Sequence, residues 1–392
     1  MLALEKLKVF KESLTALLFD ASGLIAGSLA AAFSSLILLT PWSLMLYPMS
    51  LSVRGAVNGV FASRLGTNLH LGLIKPQLRK NTVYYHALAS SAFMLSFVLS
   101  LIIGLIVFAV NKAIYNIKFN EAFFILSICI ATQGLTTIVV EPITSFLGFF
   151  SFKKGADPDV VVYPVSSTIA DILVTGFYIL ILTLGFKLGF FGKIALTLIA
   201  LIYTFFTLLS LLKFRKEASY LKVIKEAIFG VLIAAVISAV SGFSLSKVKN
   251  EIEVRKGFIR AYPALIDTIG DSGAIFGSLL TTKLALGEVK PKLTAIKNNL
   301  NELKQIAAAT LIMYMAYGVL ASLNSTFINF FVIISTFLIV FPLVMILSFF
   351  TAVATCYKGL DPDNFTVPIE MAISDGLVTL VLALLIALTT IV

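Results

Sequence analysis

Apolar residues in this chain come in long, nearly unbroken runs separated by short polar segments. A helix needs roughly 20 predominantly apolar residues to cross a hydrocarbon core. About eleven stretches reach that length, at approximately 13–39, 42–65, 86–110, 122–150, 160–184, 189–212, 223–243, 259–281, 305–323, 327–354 and 365–390. The pattern predicts an all-α integral membrane protein. The opening segment, MLALEKLKVFKESLTALLF, carries basic residues ahead of an apolar run but has no small-residue cleavage site. It reads as a retained first span.

Composition agrees. Of 392 residues 59% are hydrophobic and 13% charged, where a soluble domain needs about a quarter of its residues charged to solvate its surface. The net charge of +10 does not point to nucleic acid, which would require a basic stripe or a recognised binding fold. With the N-terminus in the cytoplasm, about twenty Lys and Arg fall on the cytoplasmic side and about nine on the other, the sign expected for a multi-pass cell-membrane protein. The C-terminus then lies outside. The 244–260 loop, with Lys247, Lys249, Arg255, Lys256 and Arg260, fits this topology least well. Cys129 and Cys356 lie in or beside apolar runs, so neither a disulfide framework nor a thiolate metal site is indicated.

An internal repeat organises the spans. Residues 47–76 align without a gap to 262–291, and about twelve of about thirty positions are identical, among them Tyr47/Tyr262, Pro48/Pro263, Gly55/Gly270, Phe61/Phe276 and the closing Lys-Pro. A second pair, 154–175 and 358–379, sets Asp157, Pro158, Asp159, Pro164 and Asp171 against Asp361, Pro362, Asp363, Pro368 and Asp375. Residues 140–150 parallel 340–350. The expected organisation is a first five-helix unit over 1–187, a connecting membrane helix over 188–215 and a second five-helix unit over 216–392. An odd number of spans per unit would invert the second unit, and the connecting helix restores its orientation. The two units are therefore expected to be parallel, related by a pseudo-two-fold axis along the membrane normal.

Ionisable residues inside spans cost about 2.5–3.5 kcal/mol on insertion scales and are functional candidates by default. They are Asp20, Arg54, Glu141, Asp171, Asp267, Asp271, Glu370 and Asp375. Asp171 and Asp375 recur with the repeat, each about thirteen residues beyond a Pro that can open its helix, hence roughly 20 Å in. Two such carboxylates facing across an axis repel unless a cation lies between them. The plainer alternative is a buried protonated Asp bonded to a backbone carbonyl.

Asp267 and Asp271 stand one turn apart where the first unit has Ser52 and Ala56, so the two halves differ chemically. Arg54 and Asn58 have no charged counterpart in the second unit, and Arg54 is expected to pair with an intramembrane acid. The Asp-Pro-Asp turns suit a helix start, and a ring of Asp157, Asp159, Asp361 and Asp363 could also gather divalent cations at a pore mouth. Gly55, Gly59, Ala62, Ser63 and Gly66 form a small-residue stripe suited to close helix packing. His70 and His86 lack metal-ligand spacing, and Asp20 recurs nowhere. No enzyme signature such as HExxH, a nucleotide-binding Gly-rich loop or a nucleophile elbow is present.

These residues resemble a family, the MgtE magnesium transporters and their two-repeat relatives in solute carrier family 41. VRGAVNGVFASRLGT looks like the second-helix signature of the latter, and the Asp-Pro-Asp…Pro…Asp arrangement looks like the segment of MgtE's last helix whose Asp contacts Mg²⁺. The resemblance implies a fused pseudo-dimer, able to work as a monomer, that passes divalent cations, most readily Mg²⁺, between its repeats without a cofactor. It implies metal contact by Asp171 and Asp375 and matches Asp157 and Asp361 to the family's helix-opening Asp. Asp267 and Asp271 would supplement that set on one side only, and Asn58 is a further candidate; the sequence departs from the family where its Gly-Gly-Asn is replaced by Arg54-Gly55-Ala56-Val57-Asn58 and Ile269-Gly270-Asp271-Ser272-Gly273. About twelve residues precede the first span, so no cytoplasmic sensor domain is expected. The extra acids keep open a proton- or Na⁺-coupled transporter of another cation or small solute.

Overall fold

The computed structural model describes residues 7–154, 158–285, 289–290, 296, 299–323, 326–358 and 362–389. Among them the chain forms fourteen helices. The first span is divided into α1 (Lys8–Asp20), α2 (Gly23–Ala32) and the single turn α3 (Ser34–Ile37). Next come α4 (Pro41–His70), α5 (Val83–Tyr115), α6 (Glu121–Lys153), α7 (Pro158–Lys187) and the connecting α8 (Gly189–Phe214). The second half holds α9 (Ala218–Lys247), α10 (Lys249–Val254), α11 (Gly257–Ala285), α12 (Leu300–Ser322), α13 (Ile328–Lys358) and α14 (Pro362–Leu388).

Local sequence sets the helix limits. Thr40 caps α4 in a reciprocal box with Ser43, and Pro41 fills the first helical position, where its missing N–H costs nothing. Thr82 caps α5, which ends at Asn116 in the left-handed conformation, φ 48°. Prolines recur inside equivalent helices, Pro48 with Pro263 and Pro142 with Pro342.

Between α1 and α2 the backbone tightens into three-residue hydrogen bonds, Ala21 N to Leu18 O, Ser22 N to Phe19 O and Leu24 N to Ala21 O. A stretch of this kind inside a span changes the direction of the side chains beside it, and here the side chain is Asp20.

Eight helices are long and apolar enough to cross a membrane among the described residues. Two of the eleven sequence stretches, those that form the second helices α4 and α11 of each unit, are more polar than that, and within α9 the described apolar length is Leu232–Lys247. The reason for α4 is its position. It is buried along nearly its whole length, from Trp42 to Leu69, behind other helices, so it need not be apolar to satisfy lipid. Polar intramembrane residues face the bundle interior for the same reason.

The two halves exchange their first helices. A side chain placed on Gly27 of α2 would overlap the backbone of Arg260 in α11, and one on Gly242 of α9 would overlap the backbone of Met45 in α4. Gly27 and Gly242, like Arg260 and Met45, are equivalent under the alignment that pairs Tyr47 with Tyr262. Each first helix thus lies backbone-to-backbone on the second helix of the other half. Ala56, Ala234 and Ala372 form a small apolar contact where α4, α9 and α14 meet, again because short side chains let backbones approach. The connecting α8 rests on α5, α6 and α7 of the first half.

Candidate functional site

The last helices, α7 and α14, bring Asp171 and Asp375 into the interior, where Asp171 is an electrostatic neighbour of Asp375. Both are buried, or nearly so, among helices contributed by each half. Ser52 on α4 donates to Asp375 Oδ2 at 2.9 Å, a bond between the halves. The equivalent of Ser52 in the second half is Asp267 on α11, and Asp267 lies within hydrogen-bonding reach of Asp171. The same pair of helix positions therefore makes a hydroxyl–carboxylate contact on one side of the interface and a carboxyl–carboxyl contact on the other.

Asp267 senses four other acids, Asp171, Asp20, Asp271 and Asp375. Asp271, one turn further along α11, is within reach of Asp20, which also approaches Thr268. Asp171 Oδ2, Asp267 Oδ2, Asp271 Oδ1 and Asp20 Oδ2 are buried without a hydrogen-bond partner. Carboxylate oxygens so placed repel one another and attract a cation. Among the described residues no group of three His, Cys, Asp or Glu side chains is arranged to hold a metal ion directly.

Two tyrosines border the acids. Tyr47 and Tyr262, the first residues of the aligned repeat, meet with ring centroids 6.3 Å apart. Their hydroxyls bond in parallel fashion, Tyr47 to Thr175 at 3.2 Å and Tyr262 to Thr379 at 2.8 Å. Thr175 and Thr379 each follow their helix's Asp by one turn, so a symmetric Tyr–Thr pair flanks an asymmetric set of carboxyls.

A family model for MgtE, a divalent cation transporter, matches residues 47–181 and 262–385, more than half the chain, in two segments that coincide with the repeats. The chain belongs to the MgtE family. No curated protein and no solved structure matches it. As an MgtE member the chain is a two-repeat, multi-pass membrane protein that transports divalent cations.

The other expected residues of this MgtE chain fall in different places. Asn58 donates from Nδ2 to Ser166 at 2.8 Å and accepts from Thr144 at 2.9 Å, so its described hydrogen bonds are internal to the first half. Its equivalent is Gly273, and the open space there is used by Glu370, which stands where the first half has Ser166. Glu370 Oε1 lies 3.0 Å from where a Cβ on Gly273 would be, and the carboxylate accepts from Ser348. Asp157 and Asp361 lie outside the described residues, as do the side chains of Asp159 and Asp363.

Arg54 finds its partner in Glu141. Nη2 donates to Oε1 at 2.7 Å, with side-chain exposures of 0% and 3%, and Nη1 donates to Thr137 at 3.2 Å. The equivalents of Arg54 and Glu141 are Ile269 and Phe341, so the MgtE second half has hydrocarbon where the first has an ion pair.

Asp20 and Glu370 are intramembrane acids outside the set expected from sequence; Asp20 recurs nowhere, and Glu370 stands opposite Ser166. The equivalent of Asp20 is Ala235, and only the helix exchange brings Asp20 to Asp271. The one available signal was that an Asp stood in a span at all.

Proposed function

We propose that the cation is Mg²⁺ and that it passes between the two repeats, along a pseudo-two-fold axis parallel to the membrane normal, with its hydration shell contacted by Asp171 and Asp375. Asp267 and Asp271 add negative charge on the second-repeat side, and Asp20 joins them from the exchanged first helix. The observation that carries this reading is the meeting of Asp171 with Asp375 and Asp267 in the interior, with carboxylate oxygens left unpartnered. A hydrated ion suits the absence, among the described residues, of a direct three-acid metal site. Mg²⁺ dehydrates reluctantly, keeps several waters and takes only one or two carboxylates.

Mg²⁺ uptake into liposomes reconstituted with the Asp171→Asn, Asp375→Asn double variant tests the assignment. Uptake falls to the protein-free background; uptake at the wild-type rate sinks it.

A second reading, secondary transport coupled to protons or Na⁺, is favoured by one contact. Asp20 and Asp271 approach each other inside the membrane, and such a pair is stable only with a proton or a small cation between its oxygens. Flux measured at clamped voltage separates the readings. A coupled carrier responds to an imposed pH or Na⁺ gradient at constant potential, whereas a passive pore follows potential and the Mg²⁺ gradient alone.

A further inference from the structure

A groove of about 660 Å³ opens between α5, α6 and the connecting helix α8. The helix that forms one wall lies outside both segments shared with the family, which end at 181 and resume at 262. The groove is therefore built with a helix that lies outside the matched segments. Its side opening is framed by Ile138, Ile202 and Phe206, which are 48%, 55% and 60% exposed, and on a membrane-spanning helix that exposure is to hydrocarbon.

One end differs from the rest. Lys213 and His86 stand there, and beneath them the hydroxyls of Ser90 and Ser210 bond to each other across α5 and α8. The Lys213 ammonium sits 5.3 Å from the centre of the Phe214 ring and has no carboxylate partner among the described residues. Arg215 and Lys216 follow it in sequence. From Lys213 down to Ile199, the deepest α8 residue of the lining, the helix runs roughly 21 Å, which is more than half of the ~30 Å hydrocarbon core and so the depth of one leaflet.

We propose that this groove seats one phospholipid with a net negative headgroup, its phosphate at Lys213 and His86 and an acyl chain along Ala89 and Ile202. A cationic rim above an apolar slot between membrane helices has the charge and shape for such a lipid. The site has a connection inward. Its floor is Tyr203, whose ring fits only because position 134 is Gly; a Cβ there would lie 2.6 Å from the ring. The Tyr203 hydroxyl donates to the Phe93 carbonyl at 3.0 Å, and behind it stand Ser96, Thr137 and the Arg54–Glu141 pair. The lipid thus packs on the residue that separates this buried ion pair from the bilayer.

The test uses the full chain in nanodiscs containing equal phosphatidylglycerol and phosphatidylcholine, released gently and weighed by native mass spectrometry. Wild-type protein retains one phosphatidylglycerol in about fivefold preference over phosphatidylcholine. Lys213→Gln, on an exposed position, abolishes the preference. Ala89→Trp fills the slot and removes the retained lipid of either type; Ile202→Trp, also on an exposed position, does the same and serves if Ala89→Trp does not fold. Equal retention of the two lipids by wild-type protein overturns the proposal. So does wild-type retention in the folded tryptophan variant, or an undiminished preference in Lys213→Gln. The readout is bound lipid rather than flux, so the outcome is independent of which cation is carried.

Discussion

The two repeats share a skeleton and differ in what they do with charge. In the first, Arg54 and Glu141 neutralise each other inside the bundle, and Asn58 is bonded to Ser166 and Thr144. In the second, the equivalents of the ion pair are Ile269 and Phe341, while Asp267 and Asp271 replace Ser52 and Ala56 and have unpartnered oxygens. At these equivalent positions the first repeat pairs its charge internally, whereas the second leaves carboxyl oxygens without a partner. In a symmetric pair of chains both halves must carry the same residues. Fusing the repeats lets the two halves carry different residues at equivalent positions.

Making the second repeat resemble the first acts on transport. Asp267→Ser combined with Asp271→Ala removes two interior charges; at about 1.4 kcal/mol each, transport of Mg²⁺ slows roughly a hundredfold while the protein remains folded. If tracer uptake is unaltered, the charge asymmetry has no part in transport.

Breaking the first repeat's ion pair acts on stability instead. Glu141→Gln leaves the Arg54 guanidinium buried without a counter-charge and costs about 3–5 kcal/mol. Copying the second repeat with Arg54→Ile and Glu141→Phe together costs much less, because replacing a whole buried pair by apolar residues is often neutral. Chemical denaturation in detergent distinguishes the two, and a double variant as unstable as the single one contradicts the comparison.

Smaller effects should be equal in the two halves. Gly27→Leu and Gly242→Leu each force apart a backbone contact and destabilise by about 1–3 kcal/mol; a large inequality between them would mean the exchanged helices are not equivalent. Tyr47→Phe and Tyr262→Phe each remove one hydroxyl contact, a loss of about 1 kcal/mol in thermal stability, with matched shifts again the expected result.

The repeat was legible because Tyr47, Pro48 and the closing Lys-Pro recur with their spacing, and Asp171 and Asp375 could be singled out because they recur with it. What recurrence cannot reveal is a contact unique to one half. Asp20 stood alone in sequence, and its neighbour Asp271 lies on a helix reached only through the exchange. The partner of Arg54 was equally hidden, since Glu141 precedes Pro142 on a helix whose rotation about its axis no apolar run specifies. The polar character of α4 and α11 also had a meaning that a hydropathy count misses. Helices walled off from lipid can keep arginine and aspartate, so the least membrane-like spans are the innermost.

The exchange of first helices also governs the order in which the protein can be assembled. Gly27 leaves the ribosome long before Arg260, the residue it rests on. At about 5–20 residues per second, the intervening roughly 230 residues take about 10–50 s to synthesise. Through that interval α2 and its neighbour Asp20 wait in the bilayer without the helix that will cover them. Asp20 meets Thr268 and Asp271 of α11 only once the second half has been made.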